Sequence, residues 1–239
     1  MFQPRTYRQL VRPDDLVAFQ VRMQETDLQI AAPRRLVREA LQAVRTAREQ
    51  LTDHGARVPE FFSSLTPLPI PPDCPELPRR MYEAAQTAGV GPMAAVAGAV
   101  AEWVGEALLA HGEQVIVENG GDIFLRTATE RVIAIHAGRS ALSGKLGLRI
   151  PAASRLGVCT SSGTVGPSLS FGQTDAALIV SADAALADAA ASGLGNRVSA
   201  PEDVAAALDW AQTVPGVLHA VVIIAETLGA WGQYELVEL

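Results

Sequence analysis

The sequence predicts an α+β fold, mostly antiparallel sheet with packed helices, and three observations predict it. A hairpin pattern opens the chain, short β-type runs come in clusters separated by Gly or Thr turns, and helical patterns fall between those clusters. A doubly wound sheet would alternate strand and helix throughout.

From Leu16 to Ile30 apolar and polar residues alternate across a polar centre at Gln24-Glu25-Thr26, the pattern of two short strands in a hairpin. Arg35 to Asp53 then sets Leu36, Ala40, Val44, Ala47 and Leu51 on one stripe with charged residues opposite, which predicts a helix packed on one face. Val58 to Pro78 holds seven prolines and little periodicity, so it reads as an extended connector laid over the surface. One domain over residues 1–239 is expected, with a hairpin–helix part (about 1–57) joined through that connector (58–78).

Met81 to Thr87 reads as helical, Gly91-Pro92 as a helix start, and Met93 to Ala110 as a second helix ended by His111-Gly112. Gln114 to Val117, Asp122 to Arg126, Arg131 to His136 and Lys145 to Ile150 are β-type runs expected to form an antiparallel meander. Ala176 to Val180 is a buried strand leading into a helix from Ala182 to Ser192. Another helix, Pro201 to Trp210, starts on proline, and Val217 to Ile224 with Gly232 to Val237 close the chain as strands.

Composition narrows the chemistry. The 19 basic residues are 18 Arg and the single Lys145, so a Schiff-base or amine nucleophile has only one place to sit. Alanine reaches 40 residues against 12 aromatics, which describes elements that approach closely. A net charge of −7 and a pI near 5.1 argue against nucleic-acid or anionic-membrane partners. Cys74 and Cys159 are far apart and show no disulfide framework, and the first residues hold no apolar signal region. The longest apolar run, Gly89 to Ala110, carries Pro92, Glu102 and Glu106 and is too rich in Gly and Ala for a spanning helix. These features read as a cytoplasmic protein with no membrane partner.

Four segments place glycine, hydroxyls and carboxylates where a plain core would use Val or Leu. Around Met93, Ala94 and Gly98 nearly every side chain is one carbon or none, so a backbone or a flat ligand can approach a helix start whose free N–H groups favour an anion. In Val117 to Phe124, Asn119-Gly120 is a hairpin signal, while Gly120-Gly121 at a strand end, flanked by Glu118 and Asp122, also permits close approach of a ligand. Cys159 to Gly172 gathers six small hydroxyls and three glycines, among them Thr160, Ser161, Ser162, Gly163 and Thr164, a set of neutral donors and acceptors suited to phosphate or carboxylate. It lacks the GK[ST] of a Walker A loop and the GxSxG of a hydrolase elbow. Asp188 and Ser192 stand four apart on a helix otherwise made of alanine, so carboxylate and hydroxyl share one face and offer two oxygens to Mg²⁺ or Ca²⁺. Tight helix packing, a plain turn and an exposed Asp with a back-bonded Ser are the purely structural readings of the same residues.

Together these segments resemble the ApbE superfamily, flavin transferases that move FMN from FAD onto a protein threonine, and more closely its uncharacterised branch, UPF0280 (DUF375). The resemblance runs through ETDL at Glu25–Leu28, PEFFSSLTPL at Pro59–Leu68, GVGPMAAVAGAVAE at Gly89–Glu102, VENGGDIFL at Val117–Leu125, CTSSGTVGPSLSFG at Cys159–Gly172 and ADAALADAAASGLGN at Ala182–Asn196. It implies Mg²⁺ held by Asp188 and Ser192, the places of a DAxxT-type helix, with a carbonyl from near Ala95 to Gly98. It also implies a ligand such as FAD or FMN beside Gly120-Gly121-Asp122 and Thr160 to Thr164, and a link to homocysteine formation in anaerobic sulfur amino acid metabolism.

The departures are specific. Transferases carry a lysine in a GGIAKG-type segment where this chain has Ala94 to Gly98, and a longer loop with histidine after TSG. The resemblance therefore points to an ApbE-like protein of altered activity. The alternatives are a non-catalytic ligand-binding or assembly protein, self-associating through its small-residue helix, and a flavin transferase using different groups.

Overall fold

The computed structural model describes residues 15–163 and 172–239. Eleven strands and six α-helices, with two short 3-10 turns, follow one another among these residues. The chain opens with the hairpin β1 (Val17–Met23) and β2 (Thr26–Ala32), then helices α1 (Val37–Arg57), α2 (Glu60–Ser63), α3 (Glu76–Ala88) and α4 (Val96–Leu109). Strands β3 (Val115–Asn119), β4 (Asp122–Arg126), β5 (Arg131–Ala134), β6 (Leu146–Ile150), β7 (Arg155–Ser161) and β8 (Ala176–Ser181) come next. Helices α5 (Ala184–Gly195) and α6 (Val204–Thr213) and strands β9 (Val217–Ile224), β10 (Thr227–Gly232) and β11 (Glu235–Glu238) end it.

Every strand pairing is antiparallel, as an α+β fold requires. Eight strands form one sheet in the order β1-β2-β3-β4-β7-β8-β9-β10, and β11-β6-β5 form a second. The expected meander through Lys145–Ile150 is therefore corrected: β3 and β4 belong to the large sheet, β5 and β6 leave it, and the chain returns through β7. Apolar periodicity marks a strand but not its neighbour, and these strands bury their faces in different cores.

Those cores lie on opposite sides of the large sheet. Phe124, Cys159, Ala177, Ile179, Ala220 and Val222 face the helices. Leu125, Val158, Leu178, Val180, Val221 and Ile223 face the small sheet, against Ile133, Leu148 and Ile150. Coverage on both faces explains why β8 and β9 are unbroken apolar runs despite their antiparallel pairing.

The connector is also corrected. It contains the turn of helix α2, and α3 begins at Glu76, inside the stretch expected to be extended. Prolines at a first helical turn do not oppose helix, because the amide they lack has no partner there. Likewise Gly232–Val237 splits between β10 and β11, one in each sheet. Pro92–Leu109, apolar and long enough by composition to cross a membrane, is more than half buried inside the fold, which accounts for its apolarity.

His219 on β9 is 2% exposed, and its Nδ1 accepts the Tyr234 N–H at 3.3 Å. Burial pulls its pKa down to about 4. The unfolded chain takes up a proton near pH 6.5 that the folded chain refuses, so stability present above pH 6.5 is lost as pH falls toward 4. In urea titrations, His219→Phe is expected to lose less stability than wild type between pH 7 and 4, by about 2 kcal/mol.

Candidate functional site

α4 and α5 pack side by side on the large sheet because neither carries bulk where they meet. A Cβ on Gly98 would sit 2.1 Å from Ala184 O and 2.8 Å from Asp188 Cβ, and one on Gly157 would sit 2.3 Å from Ala184 Cα. The close neighbour that the small residues of α4 admit is thus the backbone of α5, with β4 behind, where Gly105 makes room for Phe124. On α4, Gly98 and Gly105 are thus taken up by contacts within the chain.

This contact settles what the helix start binds. Asp188 Oδ2 accepts the Gly98 N–H at 2.9 Å, and the Ala97 N–H also bonds to its carboxyl. The anion attracted to the first turn of α4 is a side chain of α5, which corrects the expectation of free N–H groups there. Asp188 caps from another helix the amides that have no partner within their own.

Asp122 lies on the sheet beneath. Its Oδ1 accepts the Thr160 N–H at 3.2 Å, tying the start of β4 to the end of β7, and it is 8% exposed. Burial pushes the Asp122 carboxyl well up, and the Asp188 charge beside it pushes the same way. Burial likewise pushes Asp188 up to about 7, against its backbone hydrogen bonds. Backbone amides bond to both acids, and the buried Cys159 lies beside Asp122, its thiol held by burial well above its ordinary range. Two carboxyls from different elements, Asp122 buried and Asp188 half-buried, therefore lie close enough for their charges to interact. Charge in such a place is unfavourable until a proton or a cation enters.

The turn beside them differs by one residue from its expected position. Asn119 pairs with Asp122, so the loop is Gly120-Gly121, with φ of 72° and 110°. Both central positions of this turn need positive φ, which glycine adopts without strain. The shift leaves Asn119 as an anchor: its Nδ2 donates to Ala97 O at 3.1 Å, while buried Glu118 takes the Gly121 N–H at 2.8 Å. A Cβ on Gly121 would have nothing within 4 Å.

The predicted residues divide as follows. Asp122 is hydrogen-bonded to Thr160 and Asp188 to Gly98, and Gly120 and Gly121 turn immediately beside Asp122. Ser192 is half-buried one turn along α5 from Asp188, and Ser161 stands beside Gly195 further along. Ser162 and Gly163 reach Thr174 O across the strand ends. Met93 and Ala94 are half-buried on the 3-10 turn Pro92–Ala95 that leads into α4. Thr164 lies outside the described residues. Among the described residues no three His, Cys, Asp or Glu side chains cluster as metal ligands. A cavity of about 530 Å³ opens elsewhere, lined by Glu39, Arg80, Trp103 and Glu106 among others.

Sequence reasoning missed the support under α5. Glu102, 6% exposed, accepts the Ala184 N–H at 2.7 Å, and Arg155 bridges it to Glu106 at 2.7 and 2.6 Å. An acid one turn inside an alanine-rich helix was its only trace. Glu102→Ala is expected to lower stability by about 2 kcal/mol in urea unfolding, because the α5 amide loses its acceptor and Arg155 one of its two carboxylates, and Glu102→Gln to recover part of that loss.

The architecture has solved counterparts. Pseudomonas stutzeri flavinyl transferase ApbE in its apo form matches with a TM-score of 0.56 and 14% identity, over 90% of this chain and 93% of that one. Flavin transferase ApbE from Vibrio cholerae gives 0.54 and 13%, over 92% and 97%. The fold is ApbE-like. By sequence, residues 8–236 match the family described as AbpE bacteria. A UPF0280 protein of Methanocella arvoryzae is 47% identical over 195 residues, 81% of this chain and 79% of the relative. Another, of Methanosarcina acetivorans, is 44% identical over 200 residues, 82% and 79%. The chain belongs to the UPF0280 family, within the ApbE-like superfamily.

Proposed function

We propose that this protein binds a divalent cation, Mg²⁺ by its all-oxygen donor set, together with a phosphate-bearing small molecule such as a flavin nucleotide. The observation that carries this reading is the pair Asp122 and Asp188, a buried and a half-buried carboxyl close enough for their charges to interact, each hydrogen-bonded by backbone amides. A hard cation would relieve their repulsion. Asp188 and Ser192 would hold the ion, with a carbonyl near the start of α4, water and ligand phosphate completing its shell. Gly98 would act through Asp188, by letting α5 come close enough to hold it. The turn at Gly120-Gly121 and the strand end at Thr160 to Gly163 would line the ligand, with Met93 and Ala94 at the rim. Bound there, the cation would supply charge neutralisation for the phosphates.

The solved flavin transferases support a flavin nucleotide as one ligand to try. Ala94 to Gly98 offers no lysine, so the chemistry following binding would differ from flavin transfer as the family pattern describes it. Calorimetric titration with FAD, FMN, ADP and pyrophosphate, with and without Mg²⁺, tests the reading: metal-dependent binding of at least one is expected, and none would sink it.

A further inference from the structure

α1 packs against both α3 and α4, and the three helices enclose between them the cavity of about 530 Å³, the size of a small-molecule cleft. Two stripes line it, Glu39, Ala43 and Thr46 along α1 and Trp103, Glu106 and Ala107 along α4. The two helices run in opposite directions, since His111, just past the end of α4, lies close enough to act electrostatically on Glu39 at the start of α1. At the other end the Leu77 N–H donates to Gln50 Oε1 at 3.0 Å, which brings the first turn of α3, with Glu76, to the later turns of α1. Acids therefore stand at both ends, and Glu39 and Thr46 are about 10 Å apart along the helix axis. Between them the half-buried Trp103 lines the cavity beside Ala43 and Ala107, side chains of one carbon that cannot cover its ring.

Charge decides what such a cleft admits. Its lining holds three carboxylates, Glu39, Glu76 and Glu106, against the single guanidinium of Arg80 and the imidazole of His111. Arg80 already donates to Glu76 at 2.6 Å and to Glu106 at 2.8 Å, so it is not open to an anion from solvent. Glu39 meets Arg38 at 3.5 Å, a solvent-facing pair that another cation exchanges at little cost. We propose that this cleft binds an aliphatic diamine or polyamine, its ammonium groups at Glu39 and at Glu76 and Glu106, and its methylene chain laid across Trp103. The indole face suits such a chain, being apolar and attractive to cations at its ends. Neither Mg²⁺ nor phosphate takes part, so this site stands independently of the one proposed above.

The test titrates the full chain with spermidine and with butylamine in magnesium-free buffer. Spermidine is expected to bind at least about tenfold more tightly, since it alone reaches both acidic ends. Glu39→Gln should lower spermidine affinity about tenfold. Ala107→Arg, which sets a cation and bulk at an exposed position inside the cleft, should abolish binding, and Ala107→Glu should tighten it. Glu202→Gln makes the same change of net charge at an exposed position outside the cleft and should leave affinity as in wild type. None of these positions lies in the core, so the variants should melt close to the wild-type temperature. Absence of spermidine binding, affinity no tighter than that of butylamine, equal losses in Glu39→Gln and Glu202→Gln, or unchanged affinity in Ala107→Arg overturns the proposal.

Discussion

Asp188→Asn should lower magnesium-dependent binding of FAD or pyrophosphate by at least about tenfold without unfolding the protein. The amide oxygen still accepts the Gly98 N–H, so the first turn of α4 keeps a cap. What disappears is the negative charge near Asp122. In magnesium-free buffer that loss removes a like-charge repulsion, and the melting temperature of the variant should equal or exceed that of wild type. Asp188→Ala separates the two contributions, since it loses the charge and the cap together. It should bind as poorly as Asp188→Asn and melt lower, because removing a capping acceptor costs about 1 kcal/mol. Wild-type affinity in Asp188→Asn would show that the carboxylate serves only as a cap.

Gly157→Ala should destabilise the fold by about 3 kcal/mol. Its Cβ would sit 2.3 Å from Ala184 Cα and 2.7 Å from Ala184 Cβ, and those atoms are the first turn of α5, which has no softer neighbour to displace. α5 would have to lift from β7, stretching the Glu102 bond to the Ala184 N–H and moving Asp188 with it. Urea unfolding measures the loss. A change under about 1 kcal/mol would mean that α5 does not rest directly on the strand. Gly121→Ala is the contrast, since its Cβ would meet nothing within 4 Å and only the φ of 110° opposes it. Strain of that kind is on the order of 1–3 kcal/mol.

Much of the fold was legible because its signals are local. Asp122–Arg126 and Val217–Ile224 stand where alternation and apolar runs put them, and the helices differ mainly at their ends. Termini drift because a first turn is decided by whatever satisfies its amides. α4 starts three residues late, behind a 3-10 turn, where Asp188 supplies the acceptors. Strand partners were less legible. Arg131–Ala134 and Leu146–Ile150 read no differently from β3 and β4, yet they pair with each other in another sheet, where β6 also pairs with β11.

The candidate site divides in the same way. The sequence by itself determined which segments carry oxygen, glycine and small side chains, and the order of those motifs marked the superfamily. It also determined that Asp188 and Ser192 share one face of a helix, because 3.6 residues per turn follows from backbone geometry alone. Only the tertiary structure decided that Asp188 meets Gly98, ninety positions away, that Asp122 lies beside it, and that Thr174 turns its hydroxyl toward Gly195. Local spacing sets directions within one element. Meetings between elements depend on packing, here on how closely α5 can approach α4 and β7 where Gly98 and Gly157 lack a side chain.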